Sequence, residues 1–142
     1  QESINSLKSF KGVKRRMDYV GEISSIKIYD DFSHHPTAIK LSTSAIKNKY
    51  PDKRIIGLIE LASNTMSSGH HEKNLINSFN SLDEVLLLDH KKVYDYKNAY
   101  DSIESLIIKL KEIVFDYDII LIMTNKDSQK FINPIINHLE SK

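Results

Sequence analysis

The run Tyr29-Asp30-Asp31-Phe32-Ser33-His34-His35-Pro36-Thr37-Ala38-Ile39 puts two acids, an aromatic ring, a hydroxyl and two imidazoles into six consecutive positions. Side chains of these types can hold a ribose hydroxyl, orient a cation, stack on a base or move a proton. Ile26 and Ile28 give the preceding residues a strand pattern, and Pro36 suits the first position of a helix. A short strand-to-helix turn therefore presents these groups beside exposed helix-start amides, which favour an anion. Structural turns draw on Gly, Asn or Ser, so this mixture reads as a site. The plainer alternative is a polar loop with incidental histidines.

The elements that must hold this turn follow from apolar periodicity. Met17 to Ile23 and Ile26 to Tyr29 form a hairpin across Ser24-Ser25, and Ala38, Ile39, Ala45, Ile46 and Tyr50 make one helical stripe. Pro51-Asp52 ends that helix. Arg54 to Leu61, Glu84 to Leu88 and Asp118 to Met123 are apolar enough for strands covered on both faces. Glu72 to Phe79 is a short helix, Ile103 to Val114 a long amphipathic one, and Phe131 to Leu139 the last, starting late or kinked because of Pro134. Asp89 to Asn98 is the longest expected surface loop.

This alternation predicts an α/β fold: a Rossmann-like three-layer sandwich whose sheet is mostly parallel, with an antiparallel N-terminal hairpin strand. One domain spans residues 1–142. In such a sheet ligands bind outside the carboxyl ends of the strands. The loops 30–35, 62–71, 89–92 and 124–127 all fall on that edge.

Composition removes several classes. Twenty basic residues nearly balance nineteen acidic ones, so no broad field attracts nucleic acid or an anionic membrane. No apolar run is long enough to span a bilayer. The absence of cysteine rules out a disulfide framework and thiolate metal sites, and fits a reducing cytoplasm. His34-His35 and His70-His71 are adjacent pairs without the i, i+4 spacing that sets two imidazoles on one helix face, so no metal site is expected. Neither G-x-x-x-x-G-K-[ST] nor G-x-G-x-x-G occurs, so the chain has no backbone nest of its own for a triphosphate.

Two segments together resemble a known family. Phe10-Lys11-Gly12-Val13-Lys14-Arg15-Arg16-Met17-Asp18, followed by the Tyr29–Ile39 run, is similar to the start of the C-terminal domain of Mur ligases. Glu60-Leu61-Ala62-Ser63-Asn64-Thr65-Met66 with Gly69 resembles the E-x-x-S-N-T-M segment of one branch. That branch joins the recycled murein tripeptide L-alanyl-γ-D-glutamyl-meso-diaminopimelate to UDP-N-acetylmuramate during peptidoglycan recycling. The resemblance covers the whole chain. It departs from the branch at Leu61-Ala62, where Pro-Arg is usual, and at Thr124-Asn125-Lys126-Asp127-Ser128, where a glycine-rich segment is usual.

The resemblance implies an ADP-forming ligase in three domains, of which this chain is the third, excised ahead of its arginine motif. The domain closes over ATP and brings the amine; ATP, magnesium and UDP-N-acetylmuramate are held mainly by the other domains, and the chain alone is inactive. By position in the motif, Arg16 is the catalytic cation reaching the ATP phosphates. Asp31 holds the ribose or orients that arginine, and Phe32 lies beside the adenine. Asp30 is assigned to structure. His34, Ser63, Asn64 and Thr65 face the peptide, with Ser63 and Thr65 equally suited to capping a turn. The alternatives are the L-alanine-adding branch, a receiver-like regulatory domain, and a metal-dependent hydrolase using Asp30, Asp31, His34 and His35.

Overall fold

The computed structural model describes residues 16–33, 35–60, 72–92 and 96–141. Its elements run β1 (Asp18–Ile23), β2 (Ile26–Asp31), α1 (Pro36–Lys49), β3 (Ile55–Glu60), α2 (Glu72–Asn77), β4 (Glu84–Leu88), β5 (Ala99–Tyr100), α3 (Ile103–Ile113), β6 (Ile119–Met123) and α4 (Gln129–Glu140). The sheet order is β1-β2-β6-β3-β4-β5, and only β1 is antiparallel to its neighbour. The expected α/β architecture, with its hairpin edge, is the one observed.

Successive strand residues point to opposite faces, and the two cores divide accordingly. Ile26, Ile28, Ile56, Leu58, Leu86, Ile120 and Ile122 pack against Leu106 and Leu110 of α3 and Phe131 and Ile135 of α4. Tyr29, Ile55, Ile59, Leu87, Leu121 and Met123 face Ile39 and Ile46 of α1 and Leu75 of α2. The apolar runs of β3 and β6 are thus covered on both sides. A Cβ at Gly57, in the middle of β3, would lie 2.6 Å from Leu82 Cδ1, so the end of that leucine side chain would have to move to admit one.

The β1–β2 turn has Ser24 at φ 53° and Ser25 at φ 66°. Both central residues are left-handed, as a two-residue hairpin with native twist demands, although neither is Gly or Asn. Three details differ from the sequence expectations. Helix α4 starts at Gln129, carries Pro134 inside it, and is not late. The loop after β4 includes the two-residue strand β5, too short to leave a periodic signal, which pairs Leu87 with Ala99 and Leu88 with Tyr100. Asp89 at its start is buried, only 2% exposed. Among the described residues no helix is long and apolar enough to cross a membrane.

Candidate functional site

The antiparallel hairpin decides where Arg16 goes. Asp18, at the start of β1, pairs with Asp30, near the end of β2. The chain entering β1 therefore lies at the carboxyl edge of the parallel strands, and Arg16, two residues before β1, is exposed. A parallel first strand would have put it at the opposite edge.

Asp30 and Asp31 point to opposite faces because they are adjacent in β2. On the α4 face, Asp30 Oδ2 accepts from Ser128 Oγ at 2.7 Å. This takes the hydroxyl of the α4 N-cap residue, which makes no side-chain capping bond. On the α1 face, Asp31 Oδ1 accepts from Ser33 N at 2.8 Å and Ser33 Oγ at 2.6 Å, while Oδ2 accepts from Ser42 Oγ at 2.9 Å. Asp31 is 3% exposed. Its carboxylate thus fastens the end of β2 to the second turn of α1 and shapes the turn carrying Phe32, which is half-buried, and His35, which is exposed. Both acids therefore have structural partners, Asp30 on the α4 face and Asp31 on the α1 face. Removing the Asp31 carboxylate strands buried donors. We expect Asp31→Ala to cost about 2–3 kcal/mol in urea denaturation of this chain, whereas Asp31→Asn, which can still accept, costs less.

A second cluster sits at the ends of β3, β4 and β6. Glu60 is completely buried. Its Oε1 accepts from Thr124 Oγ1 and its Oε2 from Lys130 Nζ, each at 2.5 Å, with His90 Nε2 3.4 Å from Oε2. Lys126 N donates to Thr124 Oγ1 at 3.0 Å, so the same chain of bonds shapes the β6–α4 turn. Burial alone would push the Glu60 carboxyl up. Hydrogen bonds from Lys130 and Thr124, the Lys130 charge and His90 outweigh burial and hold it below its ordinary value. Residue spacing alone does not join Glu60, Thr124, His90 and Lys130, which come from distant parts of the chain. A signal was present: an acid ending the otherwise apolar β3 needs a partner cation.

The candidates on the peptide side, His34, Ser63, Asn64 and Thr65, lie outside the described residues. Beside them in sequence, an open cleft of 620 Å³ between α1 and α2 is lined by His35, Thr37, Lys40, Asn74, Asn77 and Asn80. Among the described residues no three His, Asp or Glu side chains are grouped as a metal site requires.

Comparison with known proteins decides the family. The sequence profile of the Mur ligase glutamate ligase domain matches residues 15–94, more than half of the chain. The chain belongs to the Mur ligase family. The match begins at the arginine pair ahead of β1 and runs through β4, so it contains Arg16, Asp31 and Glu60. Curated Mur ligases similar to this chain include the UDP-N-acetylmuramate–L-alanine ligase of Hydrogenobaculum sp. (strain Y04AAS1), 42% identical over 60% of this chain and 19% of its own length. The UDP-N-acetylmuramate–L-alanyl-γ-D-glutamyl-meso-2,6-diaminoheptandioate ligase of Escherichia coli (strain K12) is 41% identical over 61% of this chain and 19% of its own length. The chain spans about a fifth of these relatives. Among solved Mur ligase structures, a murein peptide ligase from Psychrobacter arcticus 273-4 matches at TM-score 0.76 and 28% identity, over 97% of this chain and 32% of that one. A domain from Haemophilus ducreyi 35000HP, described as belonging to a UDP-N-acetylmuramate:L-alanyl-γ-D-glutamyl-meso-diaminopimelate ligase, matches at TM-score 0.70 and 25% identity, over 89% of this chain and 98% of that one.

Proposed function

We propose that this chain is the C-terminal domain of an ATP-dependent ligase that joins L-alanyl-γ-D-glutamyl-meso-diaminopimelate to UDP-N-acetylmuramate. The observation that carries the choice of branch is the likeness to the murein peptide ligase structure over 97% of the chain, together with Ser63-Asn64-Thr65-Met66. ATP phosphorylates the muramate carboxylate and ADP leaves. The peptide amine then attacks the acyl carbon, and phosphate departs from the tetrahedral intermediate.

In this reading Arg16 meets the ATP phosphates on closure and neutralises charge passing to the transferred group. Phe32 borders the adenine. Asp31 fixes the turn that presents Phe32 and stands beside the ribose. His34, Ser63, Asn64 and Thr65 face the peptide. The strand-end acids Asp31 and Glu60 already accept from hydroxyls, an amide and an ammonium, a poor fit to a magnesium ligand set. Magnesium therefore belongs mainly to the other domains of a longer protein working in the cytoplasm, and in this reading so do ATP and UDP-N-acetylmuramate.

A second reading, the L-alanine-adding ligase, is favoured by the 42% identity to the Hydrogenobaculum enzyme. Product analysis by mass spectrometry distinguishes the two. The longer protein containing this chain, given ATP, UDP-N-acetylmuramate and equal tripeptide and L-alanine, is expected to make the tripeptide adduct. Equal use of free L-alanine would move the chain to the other branch. The 142-residue chain alone is expected to hydrolyse no ATP and to show no micromolar affinity for magnesium-ATP in isothermal titration; such affinity would overturn this division of labour.

A further inference from the structure

The Glu60 cluster has an inside and an outside. The carboxylate is completely buried, while the Lys130 side chain is 33% exposed and that of His90 50% exposed. An ammonium has three protons. One goes to Glu60 Oε2; among the described residues no other acceptor takes the remaining two, which face the strand ends. In the other lysine ion pairs among the described residues the acid is itself exposed, from 39% for Asp83 to 63% for Glu112. Lys130 instead has its head held by a buried anion, so a ligand meeting it finds a cation already ordered.

Its position supplies a length. Arg16 enters at β1, while Glu60 ends β3, two strands beyond β2 in the order β1-β2-β6-β3. Strands are roughly 4.8 Å apart, so three spacings from β1 to β3 set the two cations about 14 Å apart along one edge. An extended tripeptide covers about 10 Å, and the long arginine and lysine side chains can span the remainder, whereas a single amino acid covers about a third of the tripeptide's length.

We propose that Lys130, positioned by Glu60 and flanked by His90, receives a carboxylate at the far end of the amine-bearing substrate. This rests on the ligase reading. The substrate lies along the edge with its amine toward the phosphate side, at Arg16, and its distal acid at Lys130. The lysine then acts as a ruler that favours a peptide over a lone amino acid.

The test uses Glu60→Gln/Lys130→Met, which removes both charges and leaves no buried ion without its partner. In the full-length ligase the double variant is expected to raise KM for the tripeptide tenfold or more, with KM for ATP changed less than twofold. Glu60→Gln alone, which frees the lysine without removing it, is expected to raise the tripeptide KM about threefold. A tripeptide KM within twofold of wild type, or an equal rise for ATP, overturns the proposal.

A second arm needs no ligase activity. The 142-residue chain is titrated by NMR with glutarate and, separately, pyrophosphate. Saturable shifts of the Lys130 ammonium and His90 ring with glutarate, lost in the double variant, support a carboxylate site. Tighter binding of pyrophosphate, or equal shifts at Lys109 and Lys111, overturns it. A wild-type enzyme that fails to join the tripeptide instead sinks the ligase reading, and the glutarate arm still reports on Lys130.

Discussion

Arg16→Ala in the full-length ligase is expected to lower kcat by about 10²- to 10³-fold while KM for ATP stays within a few-fold. The argument starts from the hairpin: the Asp18–Asp30 pairing brings the approach to β1 to the ligand edge, and Arg16, two residues before β1, is exposed. An exposed cation adds little to folding, so the variant should unfold at the same urea concentration as wild type. Acyl phosphate chemistry develops charge on the transferred phosphoryl group and on the tetrahedral intermediate. A cation delivered by domain closure acts mainly at that stage, and interactions realised only in the transition state appear in kcat. Arg16→Lys should recover part of the rate, since it keeps the charge but not the planar, bidentate fork. Steady-state kinetics with saturating tripeptide give the answer. Wild-type kcat in Arg16→Ala would remove the residue from the chemistry.

Lys130→Met is expected to destabilise the chain by about 2–3 kcal/mol in urea denaturation. Breaking a buried ion pair from one side leaves its charge uncompensated. The estimate sits toward the low end because a third of Lys130 meets water, and Thr124 and His90 still face the carboxylate. Glu60→Gln/Lys130→Met should recover most of the loss, because no isolated charge remains. The dependence on pH has a definite sign. Glu60 has a folded-state value below its ordinary one, so the unfolded chain takes up the proton first. The cluster's contribution is present above the ordinary glutamate value of about 4.5 and is lost as pH falls through the lower folded value. Wild type should lose its advantage over the double variant across that acid window. A difference independent of pH would mean that the pair's charge contributes nothing to folding.

The carboxyl edge works as a set of anchored groups. Asp31 and Glu60 act from below the surface: one holds the β2–α1 turn, the other the β6–α4 turn and the Lys130 head. The groups exposed above them, Arg16, His35, His90 and Lys130, come from four different segments of the chain. Of these, Lys130 is held in place before a ligand arrives, by its bond to buried Glu60.

Much of this was legible in the sequence because it depends on local periodicity. The strands β3, β4 and β6 are dominated by Ile, Leu, Val and Met, β2 shows its strand through Ile26 and Ile28, and helix α1 is announced by Pro36 and its apolar stripe. From those elements the parallel sheet, the ligand edge and the prominence of the Asp30–His35 turn follow by topology alone. Strand β5 was not legible, since two residues carry no period, and α4 tolerates Pro134 because its apolar face packs firmly on the sheet.

What tertiary structure decided was partnership. Whether Asp30 and Asp31 share a role depends on the alternation of a strand, which sends one to Ser128 of α4 and the other to Ser42 of α1. Glu60 and Lys130 lie seventy residues apart, and only the pairing of β3 with β6 brings the acid to the first turn of α4. The sequence by itself determined which residue types stand at the edge; the long-range strand pairings determined which of them meet, because a side chain's neighbours across a sheet are set by strand order and register, and neither is written in any one segment.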